Sequence, residues 1–438
     1  MNARLRTLST VASAAVLAAC HGKSPEHTTD IPDAGPSAPT ASVAAPAPSS
    51  ATARAFNADR FSKKPYMPEV IELGRGLFSD AALSASGKLA CASCHDPHVA
   101  YGPPNDRSTQ LGGADGQSPG LRAAPSLRYL QTVPRFTEHY FEEAIDESAD
   151  QGPTGGHTWD GRADTLHDQA KLPLTSRFEM ANDSIDSVVK KVARSNHAPR
   201  FQETFGRDVF DDPTRASTAV LLALEVFQQS PKDFYPYTSR YDAWIRKQGE
   251  LTAQEQRGLA LFNDANKANC AHCHPSQPRS SGFPQFSDFG FVALGVPRNP
   301  NIPNNADRTF FDQGLCGPLR TDLARHAEYC GAFRAPTLRN VAIRKAFFHN
   351  GVFHSLHQVL DFYATRDSNP GQWYPKRAGQ IQYDDLPAGA RRNVNQEPPF
   401  GRKLGQPPLL SQAEIQDLIA FLNALTDADV ATANAAKP

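Results

Sequence analysis

The pattern Cys-x-x-Cys-His occurs twice in this chain, as Cys91-Ala92-Ser93-Cys94-His95 and as Cys270-Ala271-His272-Cys273-His274. It is the attachment pattern for c-type haem: two thiols add to the vinyl groups, and the adjacent imidazole, His95 or His274, lies under the iron as proximal ligand. The alternatives are a zinc site, a thioredoxin-like redox pair or chance. A zinc site pools its Cys and His ligands into one tetrahedron, whereas here two complete sets stand far apart. So specific a pattern does not recur by accident, and two covalently bound haem c groups are the expectation.

Seven cysteines are present, and three remain after these four. Arg4 and Arg6 precede an apolar stretch, Leu8 to Ala19, that ends in Leu17-Ala18-Ala19-Cys20. Residues 1–19 therefore read as a lipoprotein signal peptide, with Cys20 as the lipidated first residue of the mature chain. The other reading is an ordinary cleaved signal with an incidental Cys; both export the protein. Residues 20–58, rich in Pro, Ala and Ser, read as a tether between anchor and folded body. In an exported chain Cys316 and Cys330 read as a disulfide, worth about 3 kcal/mol by loop closure, against two reduced buried thiols. The expected location is the periplasm, anchored by lipid to a bacterial membrane. Lys+Arg is 45 against 46 Asp+Glu, which argues against a nucleic-acid partner. No apolar run is long enough to span a bilayer, so membrane contact is expected only through the lipid.

The body repeats itself. Arg75-Gly76-Leu77-Phe78-Ser79-Asp80 precedes the first motif, and Arg257-Gly258-Leu259-Ala260-Leu261-Phe262-Asn263-Asp264 precedes the second. Pro125-Ser126-Leu127-Arg128 answers Pro336-Thr337-Leu338-Arg339, and Trp159-Asp160-Gly161-Arg162 answers His349-Asn350-Gly351-Val352. Leu166-His167 falls on Leu356-His357 in the same register. Thr252 with Glu255 and Ser411 with Glu414 form capping boxes, the second opening a helix with Ile415, Leu418, Ile419, Leu422 and Leu425 on one face. The expected fold is mainly α, with two tandem cytochrome c-like haem domains at 59–235 and 236–432.

The same register separates the two sites. It sets Tyr363 of the second unit against Pro173 of the first. A phenolate is a known haem ligand, and proline has no donor side chain. The second iron is thus expected to be six-coordinate, held by His274 and Tyr363, and the first open above His95. The three methionines, Met1, Met67 and Met180, all fall outside the second unit. His349, His354 and His357 remain as rival ligands, and a helical Tyr also serves as a core aromatic. An open haem needs a group that moves protons, and Glu179 is the candidate.

These residues resemble the bacterial di-haem cytochrome c peroxidase and MauG superfamily over about residues 60–430. The resemblance rests on the paired haem motifs, Trp159-Asp160-Gly161-Arg162-Ala163, the Gln169 to Glu179-Met180 segment, Pro336-Thr337-Leu338-Arg339-Asn340 and Phe348-His349-Asn350-Gly351. It implies a peroxide-reactive first haem with Glu179 as distal acid/base and Gln169 as its neighbour. It further implies an electron-relaying Trp159 between the haems and a second haem that stores or passes electrons. Tyr363 resembles the MauG-like branch, including the methanobactin-associated MbnH enzymes, where peroxide oxidises residues of a partner protein. The usual cytochrome c peroxidases carry Met there. The Gly314-Leu315-Cys316-Gly317-Pro318 stretch also looks like the MbnH group. Many peroxidases of this family carry a His after the first haem motif that must leave before peroxide binds; no His lies between His98 and His139 here, so the resemblance implies activity without prior reduction.

Two departures matter. The family's inter-haem calcium uses an Asn where this chain has Ala123. One hard oxygen ligand is lost, leaving backbone carbonyls near Arg344 and Ala346 and arguing against calcium. MauG also has a surface Trp before its second motif, where this chain reads Asn266-Lys267-Ala268-Asn269; the methylamine dehydrogenase precursor is therefore not the expected partner. The leading expectation is a hydrogen peroxide-dependent oxidase of a Trp- or Tyr-bearing partner protein. The alternative is a detoxifying cytochrome c peroxidase fed by a small cytochrome, and a pure electron carrier ranks last because Pro173 leaves one site open.

Overall fold

The computed structural model describes residues 60–142, 146–278, 282–375 and 382–435. The signal segment, Cys20 and the tether lie outside them. The fold is helix-dominated with little sheet. The main helices are α1 (Met67–Phe78), α2 (Leu166–Thr175), α3 (Ile185–Ala193), α4 (Ala198–Phe205), α5 (Pro213–Gln228), α6 (Arg240–Ile245), α7 (Ala253–Asn263), α8 (Leu356–Thr365) and α9 (Gln412–Asn423). Strands among the described residues form short two-stranded antiparallel ribbons, one of which pairs Phe291–Val292 with Phe333–Arg334. None of the described helices is long and apolar enough to cross a membrane.

Among the described residues two large hydrophobic cores stand out, beside two small clusters around Leu315 and Leu386. The first draws on residues from Phe61 to Phe234 and packs α1 against α5, with α2 and α3 alongside. The second runs from Tyr241 to Leu425 and packs α7 against α9, with α8 alongside. In each, the helix leading into a Cys-x-x-Cys-His loop crosses the last long helix of its half. The crossings are glycine contacts. A Cβ on Gly74 would lie 1.9 Å from the Ala223 carbonyl oxygen, and one on Gly258 would lie 2.0 Å from that of Asp417. Gly258 therefore corresponds to Gly74 rather than to Gly76, and the matching register is Gly-x-x-x-Phe-x-Asp.

The helix starts follow local chemistry. Thr252 and Glu255 cap α7 reciprocally, as Ser411 and Glu414 cap α9. α2 and α8 each have 10 residues and each begins behind a hydroxyl cap, Thr165 accepting from the Asp168 amide and Ser355 from that of Gln358. α9 stops at Asn423, so Leu425 packs in the core from the turn beyond the helix. Its carbonyl accepts the Asn340 amide at 3.1 Å, a tie that helical geometry would not allow.

Buried charges join the halves. Arg128 pairs with Asp427 at 2.9 Å, and Asp427 also accepts from the Tyr129 hydroxyl and the Asn340 side chain. Its counterpart Arg339 pairs with Asp242 at 2.9 Å, both side chains fully buried. The glycine crossings lead to a direct expectation. Gly258→Ala should destabilise the haem-loaded protein by about 1–3 kcal/mol in urea unfolding through overpacking. Gly389→Ala, where a Cβ meets nothing within 4 Å, should change it by less than about 0.5 kcal/mol.

Candidate active site

Each histidine of the two motifs is held by a backbone carbonyl. His95 Nδ1 lies 3.1 Å from the Tyr101 oxygen, and His274 Nδ1 lies 2.8 Å from that of Phe286. A carbonyl only accepts, so Nδ1 carries the proton and Nε2 is left with its lone pair, the state a metal ligand requires. Tyr101 and Phe286 both adopt left-handed backbone, with φ of 54° and 52°. That conformation is costly for an aromatic residue, and it is the turn that presents the carbonyl to the ring. The residue before each is fixed from the paired Pro segment: Ser126 donates to Ala100 at 2.6 Å, and Thr337 donates to Gln285 at 2.7 Å. Burial lowers both imidazoles to about 4, so they are neutral at physiological pH.

Beside the second histidine lies a largely apolar cavity lined by Cys270, Cys273, His274, Trp159, His349 and Tyr363. Tyr363 projects from α8 and stacks on Phe400, with ring centroids 5.0 Å apart. Its hydroxyl makes no hydrogen bond among the described residues. Burial pushes the phenol well above its ordinary range. Two guanidinium groups, Arg334 and Arg344, line the same space without a carboxylate partner among the described residues. Arg334 buries Nε and Nη1 with no acceptor. Arg344 donates through Nη2 to the carbonyls of Ala124 at 3.1 Å and Ala346 at 3.2 Å.

At the first histidine the arrangement differs. Burial pushes the Cys91 thiol up to about 12 and the Cys94 thiol up to about 11, and the Glu179 carboxylate adds to both. Glu179 therefore lies close to the first motif. It lies just beyond α2 with its side chain open to solvent. Desolvation raises its pKa, opposed by a Ser176 hydrogen bond and the Arg162 charge. Gln169 is half-buried on α2, one turn before Pro173, which occupies the place on α2 that Tyr363 has on α8.

Trp159 belongs to both regions. Its indole Nε1 donates to the Ala123 carbonyl at 2.8 Å, just before Pro125, whose carbonyl faces His95. Its own carbonyl accepts the Arg334 amide at 2.9 Å, and its ring lines the cavity of the second histidine. Asp160 locks this turn, pairing with Arg122 at 2.7 Å and Arg162 at 2.8 Å. Arg122 continues to Asp312 of the second half at 2.6 Å. Cys316 and Cys330 form a disulfide, with Cα atoms 5.0 Å apart.

The family described as "Di-haem cytochrome c peroxidase" matches residues 68–250. The methylamine utilization protein MauG of Paracoccus denitrificans is 33% identical over 371 residues, covering 81% of this chain and 88% of its own. The chain belongs to the di-haem cytochrome c peroxidase and MauG family. The crystal structure of the di-haem peroxidase BthA from Burkholderia thailandensis matches with a TM-score of 0.74 at 38% identity, over 83% of this chain and 87% of that one. A MauG-like protein associated with microbial copper homeostasis matches at 0.58 and 26%, over 83% and 90%. Members of this family are haem-dependent oxidoreductases that act on peroxide. The residues here fit haem: paired thiols, a neutral imidazole, an apolar slot, and unpaired guanidinium groups for a carboxylate-bearing cofactor.

Sequence reasoning missed Arg334 and Arg344, whose neighbours give no local signal. It also missed the carbonyls of Tyr101 and Phe286, which stand at unequal distances from their histidines. The Pro125 and Pro336 segments that position them were visible as a repeat. Asp160 gives a test. Its carboxyl is held at about 2 chiefly by Arg122 and Arg162 against the desolvation of burial, below the ordinary 3.8. Its contribution to stability is therefore complete above about pH 4 and lost as pH falls through about 2. Asp160→Asn should cost roughly 3 kcal/mol at pH 7, with the gap to wild type closing in acid unfolding.

Proposed function

We propose that this protein is a periplasmic, lipid-anchored di-haem peroxidase that uses hydrogen peroxide to oxidise a protein partner. The observation that carries the reading is the contrast between α2 and α8. The two helices share length, cap and register, yet one presents Pro173 where the other presents Tyr363. Tyr363 shares a cavity with His274, so both would be available to hold a haem there, whereas α2 offers Pro173, which has no donor side chain. In this reading the two cores correspond to tandem cytochrome c-like domains at 59–235 and 236–432. Cys91/Cys94 and Cys270/Cys273 each carry one covalently bound haem c. When bound, haem supplies iron that coordinates peroxide and takes up its oxidising equivalents.

The chain's own residues do the rest. Glu179 would take the proton from one peroxide oxygen and return it to the other, making water the leaving group when the O–O bond breaks with electrons drawn from the haem. Its raised pKa suits both acts. Gln169, half-buried on α2, would be its neighbour in the peroxide pocket and would help to orient peroxide there. Trp159, fixed by Ala123 and the Asp160 turn, passes electrons between the two sites. His95 and His274 remain neutral donors because their Nδ1 protons are committed to carbonyls. Calcium forms no part of this reading, since Arg344 already brings positive charge to the Ala346 carbonyl.

Tyr363 would favour partner oxidation over simple peroxide removal, because a phenolate oxygen would stabilise a more oxidised iron than a thioether would. Two measurements test the proposal. Glu179→Gln should slow the reaction with peroxide by about 10²–10⁴-fold in stopped-flow absorbance, and unchanged kinetics would remove Glu179 from the mechanism. Mass spectrometry of the N-terminal peptide from the mature protein should find Cys20 as its first residue, carrying acyl chains; a mature protein with an unmodified Cys20, or without it, would exclude the lipid anchor.

A further inference from the structure

Peroxide reduction draws two electrons from outside the protein, and we infer that they enter at Trp244. This inference rests on the peroxidase reading above and adds the surface site it leaves unassigned. The chain has three tryptophans. Trp159 lies in the wall between the sites. Trp373 is half-buried, its indole donating to Thr365 Oγ1 at 2.9 Å. Trp244, on α6, is 37% exposed.

From Trp244 an aromatic file runs inward. Its ring lies 5.4 Å from that of Tyr241, and Tyr241 lies 5.2 Å from Phe286, centroid to centroid. Phe286 supplies the carbonyl that holds His274. Tyr241 touches the same loop a second time, donating its hydroxyl to the Ser276 carbonyl at 2.6 Å. The file thus ends on the proximal side of the second site through two separate hydrogen bonds. Among the described residues the first site shows no such exit. There Tyr101 stacks on Phe234 at 4.1 Å and packs near Phe78 and Phe227, all of them buried.

The chemistry distinguishes the members of the file. Tyr241 cannot rest in an oxidised state, because losing an electron requires losing its hydroxyl proton and its partner is a carbonyl, which is no base. Burial pushes its phenol up to about 12, which agrees. Phe286 is harder still to oxidise. An indole gives up an electron without first releasing a proton, and the half-exposed position of Trp244 lets water disperse the charge. Trp244 is therefore the station, and Tyr241 and Phe286 are the bridge. Per peroxide, the O–O bond breaks, two protons are taken up, two waters form, and two electrons pass one at a time from a protein donor docked over Trp244.

The test uses the haem-loaded enzyme with Trp244→Phe, and Trp373→Phe as control. The donor probe is a reduced small c-type cytochrome, added after one equivalent of peroxide. Trp244→Phe should react with peroxide at the wild-type rate yet take electrons from the cytochrome about tenfold or more slowly, while Trp373→Phe matches wild type in both. In wild type given peroxide without donor, peptide mass spectrometry should find oxygen added at Trp244. Oxidation that spares Trp244, or electron uptake unchanged in Trp244→Phe at equal haem content, overturns the assignment. Failure of the wild type to react with peroxide at all would overturn the peroxidase reading and the port with it.

Discussion

The hydrogen bond from a histidine Nδ1 to a backbone carbonyl is the constraint on which this molecule depends. It fixes a tautomer, a ring orientation and therefore the direction of the one lone pair left for metal. At His274 the acceptor is Phe286, and at His95 it is Tyr101. Both acceptors need left-handed backbone, which an isolated chain would avoid. Surrounding packing overrides that preference. Ser126 and Thr337 hold the preceding carbonyls, and their Pro segments are in turn tied down by Arg128 and Arg339. The buried ion pairs of those arginines thus matter less as net stabilisation than as fixtures for two histidines.

From that shared frame the two halves diverge in ways that set function. The cavity of the second half has a phenol on its wall and an aromatic file leading out to solvent. The first half has a proline in the matching place and a solvent-exposed carboxylate, Glu179, near its thiols. On the proposed reading the first site reacts with peroxide and the second exchanges electrons. The Trp159 turn is clamped from both sides, by Arg122 reaching Asp312 and by Ala123 bonded to both the indole and His349.

Much of this was legible in the sequence, for identifiable reasons. The haem motifs are local, so five residues carry the whole signal. The register of α2 on α8 could be read because Leu166-His167 and Leu356-His357 follow a capping hydroxyl and a glycine turn in each half. Where a repeat is displaced, sequence failed. Gly76 matches Gly258 by its neighbours, but the helix crossing selects Gly74, since only the residue facing Ala223 must lack a side chain. Tyr101 and Phe286 escaped because the loops between them and their histidines differ in length. Arg334 and Arg344 escaped because an unpaired buried cation is a property of the fold. Nothing in the spacing of Trp244 and Phe286 hints that Tyr241 bridges them.

The account stands on an open first site paired with a closed second one. The most direct measurement is to add one equivalent of hydrogen peroxide to the fully oxidised protein, without prior reduction, and record the haem spectrum over time. The account predicts an immediate reaction to a long-lived oxidised state that decays when a protein donor is supplied. No reaction until one haem has been reduced would show that the first site is closed, and would contradict the contrast drawn between Pro173 and Tyr363.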